Sequence, residues 1–183
     1  IRDGRVTGVQ TCALPIYEQQ LFEFFLELDI QTTTHRHAAL HTVEQSQELR
    51  GDLPGGHCKS LFLKDKKAQL WLIVALEDRE VNLKTLHKQI GSGRLSFGKA
   101  ELMWDILGVR PGSVTPFSLI NDKDQQMNVV LDQGMLEFDL LNYHPLHNEA
   151  TTAISTVDLL RFIDATGHTP QRVDLVPGVE QAQ

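Results

Sequence analysis

Two strand-like runs joined by a short polar link constrain this chain more than any other feature. Lys59 to Leu63 forms the first run and Gln69 to Leu76 the second, with "KDKKA" between them. A link of that length and polarity predicts a β-hairpin. More short strand-like segments surround it. They are "IQTTTHRH" from Ile30, a brief one within "GSGRLSF", "FSLIN" after a Pro/Gly turn, "MNVVLD", "LLNYH", "ATTAIS" and "RVDLV". The loop "NDKDQQ" predicts a second hairpin, joining "FSLIN" to "MNVVLD".

Helices are interspersed. Leu21, Phe24, Phe25 and Leu28 recur at i, i+3, i+4 and i+7, which predicts an amphipathic helix over 17–28. Thr42 and Gln45 form a capping-box pattern for a helix to about Arg50. Leu83, Leu86 and Ile90 mark a helix stopped by Gly91, and 99–107 a helix stopped by Gly108. Residues 134–139 read as a short helix, and Ser155 or Thr156 caps a last one that ends at Gly167. Strands clustered mid-chain with hairpin-length links predict an α+β fold: a mixed, mainly antiparallel, barrel-like sheet surrounded by helices. The expected organisation is a leader of non-native or disordered character over 1–16, one domain over 17–176 and a frayed tail over 177–183. The leader has neither helix nor strand periodicity and lacks the plan of a signal peptide.

With 41% hydrophobic and 22% charged residues, the composition is that of a globular protein. No run of about 18 apolar residues is present, so no membrane span or membrane partner is expected. The net charge of -7 argues against sequence-blind nucleic-acid binding, yet leaves room for a local basic rim. Such clusters exist, at Lys59, Lys64, Lys66 and Lys67, and at Lys84, Lys88, Arg94 and Lys99. Cys12 and Cys58 make neither a disulfide framework nor a CxxC pair, which fits a reducing cytoplasm.

The candidate chemistry is sparse. His35 and His37 would share a strand face, but no HExxH spacing or second ligand cluster accompanies them, so no metal and no cofactor are expected. Cys58 beside His57 suggests a thiol nucleophile. Strand neighbours point to opposite faces, however, and a structural thiol is favoured. "GSVTP", Gly112 to Pro116, leaves two readings open: a turn whose backbone N–H groups meet an oxyanion, or a rigid lead-in to a strand. Lys59 is either an edge-strand guard or a cation aimed at a phosphate, and composition alone favours the first.

Several segments occur together in one order: "ALHTVEQ" (39–45), "CKSLFLKD" (58–65), "RLSF" (94–97), "LGVRPGSVTPFSLIND" (107–122), "VVLD" (129–132) and "LNYHPLHNEATTAIS" (141–155). Together they resemble the YbaK/aminoacyl-tRNA deacylase family, closest to its free-standing, alanine-specific prolyl-tRNA editing branch, ProXp-ala or PrdX. The resemblance implies the fold of the YbaK and prolyl-tRNA synthetase editing domains. It implies a cytoplasmic trans-editing hydrolase that deacylates alanine mischarged on proline tRNA. It also implies the charged acceptor end as partner, with prolyl-tRNA synthetase or an elongation factor as transient ones. Size discrimination by a synthetic site is worth only about 1–3 kcal/mol, which is why a second sieve is needed.

By the same resemblance, Lys59 holds the 3′-terminal nucleotide, Gly112 begins the carbonyl-binding loop and His144 lies at the aminoacyl pocket. Ser60, Ser113, Val114, Thr115, Pro116 and Asn148 contact substrate or support its loops, and Thr32, Thr33 and Thr34 approach the pocket. Water attacks with help from the adenosine 2′-hydroxyl and needs no side-chain nucleophile. The chain departs from the family at Ser60, where many relatives have asparagine, at Gly98 and Lys99, and at Arg36 and His37. The alternatives are a deacylase for cysteine or serine mischarges, or a non-catalytic module that binds aminoacyl-tRNA.

Overall fold

The computed structural model describes residues 15–39 and 53–175. The helix expected over 42–50, most of the leader and the tail lie outside the described residues.

The hairpin forms. Strand β2 (Gly56–Asp65) pairs antiparallel with β3 (Leu70–Leu76), in register from Cys58↔Leu76 to Lys64↔Leu70. Asp65 closes its turn by accepting from the N–H groups of Lys67 and Gln69, and also accepts from Gly93 across a neighbouring loop. Burial alone would raise the pKa of this carboxylate, but those three donors outweigh it and hold the pKa below its ordinary value.

β3 is central. Leu70, Leu72 and Val74 enter one hydrophobic cluster, while Trp71, Ile73 and Ala75 enter another on the opposite face. Strand alternation therefore buries both of its faces.

The remaining strands are β1 (Thr32–Arg36), β4 (Leu95–Phe97), β5 (Met127–Asp132), β6 (Leu140–Tyr143), β7 (Ala150–Ser155) and β8 (Gln171–Val173). The sheet order is β1-β7-β6-β2-β3-β5-β8, with β4 beside β2. Pairings β1·β7, β6·β7, β2·β3 and β2·β4 are antiparallel, whereas β2·β6, β3·β5 and β5·β8 are parallel. This is the expected α+β class with a mixed, mainly antiparallel sheet. At the end of β4 the chain crosses the Phe62 ring at Gly98, where a Cβ would lie 2.2 Å from a ring carbon. The departure at that position therefore has a packing reason.

Helices α1 (Glu18–Glu27), α2 (Leu83–Ile90), α3 (Ala100–Leu107) and α4 (Thr156–Ala165) match the periodic segments. Gly91 and Gly108 end α2 and α3 at φ 73° and 63°, the left-handed cap that glycine adopts most easily. Ser155 caps α4, its hydroxyl accepting from the Asp158 N–H. Pro15 and Ile16 lie against the body: the Ile16 N–H donates to Asn121 Oδ1 at 2.7 Å, and Pro15 packs by Gly108.

One expectation is corrected. "FSLIN" is not a strand but part of a 3₁₀ helix, Pro116–Asn121. Pro116 has no N–H for a ladder and its fixed φ suits a first helical position. The Thr115 hydroxyl caps it by accepting from the Phe117 N–H. The second hairpin is consequently absent, and β5 pairs in parallel with β3. The short helix near 134–139 is a 3₁₀ turn at Gln133–Glu137.

Candidate active site

Parallel pairing of β2 with β6 sets the site's register. Gly56 lies opposite Leu141 and His57 opposite Asn142. One step on, Cys58 comes beside Tyr143, whose hydroxyl donates to Met135 Sδ at 3.2 Å. The Tyr143 ring meets the Phe117 ring edge-on, with centroids 5.5 Å apart at 72°. Cys58, Tyr143 and Phe117 thus form a packed spine, and each is the immediate chain neighbour of a candidate: Lys59, His144 and Pro116.

Lys59 is not a dangling cation. Its Nζ donates to the Glu77 carbonyl at 2.9 Å and to the Arg79 carbonyl. An ammonium has three donors, so one lies beyond these two. The accepting turn is fixed from behind. Arg79 Nε pairs with Asp132 Oδ2 at 3.1 Å, Asp132 is fully buried, and its other oxygen accepts from the Leu175 N–H at 3.2 Å. Gly134 makes room for the guanidinium, since a Cβ there would lie 2.2 Å from Arg79 Nη2. Ser60, the next residue, leaves β2 on the opposite face, the one shared with Cys58 and Phe62.

In the Gly112–Pro116 loop only Gly112 is exposed, at φ 89°. A Cβ there would meet nothing within 4 Å, so glycine is favoured for its backbone conformation and not for space. Ser113, Thr115 and Pro116 are buried, and half-buried Val114 packs against the core. The Ser113 N–H is used by the Arg110 carbonyl at 3.0 Å. Among the described residues nothing accepts from the N–H groups of Gly112, Val114 or Thr115. A rigid loop with uncommitted backbone donors favours the first of its two readings.

His144 is half-buried, with Nδ1 2.9 Å from the Ala150 carbonyl. A carbonyl can only accept, so Nδ1 carries the hydrogen and the neutral ring's lone pair sits on Nε2. The following loop is pinned to α1: His147 Nε2 lies 3.1 Å from Glu18 Oε1, while Arg36 donates to Glu18 Oε2 at 2.8 Å. Asn148 is half-buried in that loop. Of the three threonines, Thr34 meets Thr152 hydroxyl to hydroxyl at 2.9 Å, tying β1 to β7.

Cys58 is a structural thiol. Burial pushes its pKa up to about 12, the neighbouring Tyr143 hydroxyl offsets part of this, and the charges of Asp132 and Glu77 add to it. His57 points its Nε2 to the Leu53 carbonyl at 3.2 Å. In a Cys12→Ser background, iodoacetamide at pH 8 is expected to alkylate Cys58 at least about a hundredfold more slowly than free cysteine, because the thiolate is scarce. Alkylation at the free-cysteine rate, followed by mass spectrometry, would contradict this. Among the described residues, no group of three His, Cys, Asp or Glu is arranged to hold a metal ion. Nor is any helix there long and apolar enough to cross a membrane.

Sequence reasoning missed the supports: Glu77, Arg79 and Asp132 behind Lys59, and Tyr143 and Phe117 in the spine. Asp132 did carry a signal, as a carboxylate closing the apolar run "VVL".

Comparison with known proteins bears on the whole arrangement. The profile of the aminoacyl-tRNA editing domain matches residues 37–162. The chain is 41% identical over 148 residues to the mouse (Mus musculus) prolyl-tRNA synthetase associated domain-containing protein 1, covering 78% of this chain and 87% of that one. It is 33% identical over 150 residues to the prolyl-tRNA editing protein ProX of Acetoanaerobium sticklandii, covering 81% and 92%. A solved structure described as a candidate trans-editing enzyme for prolyl tRNA synthetase shares the fold, with TM-score 0.64 at 17% identity over 86% of this chain and 96% of that one.

Proposed function

Because the chain belongs to the aminoacyl-tRNA editing domain family, we propose that it hydrolyses alanine from mischarged proline tRNA in trans. The observation that carries this reading is the Gly112–Pro116 loop, which holds uncommitted N–H donors at Gly112, Val114 and Thr115 beside the packed Phe117–Tyr143 contact. Donors fixed before the reaction stabilise a developing oxyanion without the cost of reorganising.

The ester carbonyl sits against this loop. A water attacks the carbonyl carbon, positioned or deprotonated by the 2′-hydroxyl of the terminal adenosine. The bond from the acyl carbon to the ribose oxygen breaks, that oxygen takes a proton, and free alanine and uncharged tRNA leave. The Lys59 ammonium faces the phosphate of the terminal nucleotide, and His144 lines the aminoacyl pocket. Orientation and backbone electrostatics supply the rate. A thiol that stays protonated fits a mechanism without a side-chain nucleophile.

Single-turnover deacylation of proline tRNA charged with alanine, cysteine, serine or proline, beside correctly charged alanine tRNA, tests the reading. The alanine mischarge is expected to be hydrolysed at least about tenfold faster than any other, the scale of discrimination a small pocket achieves. Faster hydrolysis of the cysteine or serine mischarge would move the chain to a different specificity. No hydrolysis of any would sink the enzymatic reading and leave a tRNA-binding module.

A further inference from the structure

His37 follows the last residue of β1 and grips β7 on both sides of Ala150. Its backbone N–H donates to the Glu149 carbonyl at 3.1 Å, and its ring Nε2 lies 3.0 Å from Thr151 Oγ1. Between those two residues, Ala150 presents the carbonyl that receives His144 Nδ1 at 2.9 Å. Ala150 is fully buried and Thr151 is 8% exposed. His37 itself is half-buried and Glu149 exposed, so the grip reaches from the protein's edge to these buried residues.

The acceptors decide the tautomers. His37 Nδ1 lies 2.9 Å from the Ala38 carbonyl and so carries a hydrogen. The neutral ring's Nε2 then accepts from the Thr151 hydroxyl. His144 adopts the same tautomer for the same reason. The two rings lie 6.4 Å apart at 58°, within the range of aromatic contact.

We infer that His37 is a positioning residue for this site: by holding Glu149 and Thr151 it fixes the Ala150 carbonyl, and through it the tautomer and tilt of His144. The inference rests on the proposed hydrolysis only for its kinetic readout. The sequence weighed His37 with His35 as a metal pair and set that aside for a hydrogen-bonding histidine; its bonds to Ala38 and Thr151 are of that second kind.

Four variants test this: His37→Ala, His37→Asn, His37→Gln and Thr151→Val. Asparagine places its amide near the Nδ1 position and keeps only the Ala38 bond. Glutamine reaches the Nε2 position and can accept from Thr151. Single-turnover hydrolysis of alanine-charged proline tRNA is expected to fall at least about tenfold in the alanine, asparagine and valine variants, and to stay within about threefold of wild type in the glutamine variant. The half-saturating protein concentration is expected to change less than about twofold, since the loss lies in the chemical step.

Nitrogen-15 spectra of His144 give a readout that needs no activity. The Nδ1–H tautomer is expected in the wild type and the glutamine variant, and mixed tautomers in the others. Wild-type rates with an unchanged His144 tautomer in all four variants would overturn the inference. If the wild type hydrolyses no charged tRNA, the proposed function fails and the spectra alone decide: an unchanged tautomer in Thr151→Val still overturns the role of His37.

Discussion

Lys59→Ala is expected to slow hydrolysis of alanine-charged proline tRNA at least about tenfold, a loss of about 1.4 kcal/mol or more of transition-state stabilisation. The loss has two sources that can be separated. One is structural: the Glu77 and Arg79 carbonyls lose the ammonium that now binds both. Hydrogen bonds to a charged group at a part-buried site contribute about 1–3 kcal/mol, so urea unfolding should register the change. The other, under the proposed function, is the charge offered to the terminal nucleotide's phosphate, which would act only when tRNA is bound. Lys59→Met keeps the stem and removes both.

Asp132→Asn acts on the first source alone. It weakens the ion pair with Arg79 that fixes the accepting turn and leaves the Lys59 charge in place. The expected order of rates is wild type, then Asp132→Asn, then Lys59→Met and Lys59→Ala. Raising the salt should narrow the gap between the charged and uncharged variants, because a phosphate contact is screened. Wild-type rates in Lys59→Ala would sink the assigned role. A stability loss without a rate loss would assign the lysine to the turn alone.

What could be read in advance divides along physical lines. The β2–β3 hairpin and the four helices are local features. Alternation, 3.6-residue spacing and the glycines at 91 and 108 determine them within a dozen residues. The parallel ladders β3·β5 and β5·β8 join segments far apart in the chain, and their register depends on shared burial that no local pattern records. "FSLIN" was misread because an apolar run cannot distinguish a buried strand from a buried 3₁₀ turn. Thr115 and Pro116 were the signal that outweighed the run.

The site divides similarly. Lys59, the glycine loop and His144 stand out when motif and order are read together. Their supports do not, since Tyr143 and Phe117 resemble any core aromatics until β2 is laid beside β6. His37 was weighed for its spacing to His35, while its actual partners, Glu149 and Thr151, lie over a hundred residues away.

The largest stability effect is expected at Asp122, which ends the 3₁₀ helix that follows the glycine loop. Its carboxylate accepts from the Gln126 and Met127 N–H groups at 2.9 and 2.8 Å, and Oδ2 lies 2.9 Å from His168 Nε2. Asp122 is 2% exposed and His168 4%. Behind the histidine, Nδ1 lies 3.0 Å from Thr166 Oγ1, and that hydroxyl donates to the Ile163 carbonyl at 2.7 Å. The network joins the 3₁₀ helix to the end of α4, and so holds the ground on which Phe117 stands. Asp122→Ala strands a buried imidazole and two backbone donors, and is expected to cost about 3–5 kcal/mol of unfolding free energy.

The pH dependence identifies the cause. Burial alone would raise the Asp122 pKa, but His168 and the two N–H donors lower it below the ordinary carboxylate value. A carboxylate with a lowered folded-state pKa contributes stability that is fully present above its unfolded value, about 3.9, and lost as pH falls through the folded one. Asp122→Asn, which cannot ionise, should therefore trail the wild type near pH 5, and the gap should close as pH falls below about pH 4. Urea unfolding across that range measures it. A gap that persists unchanged into acid would mean that shape, and not the charge on Asp122, holds the two helices together.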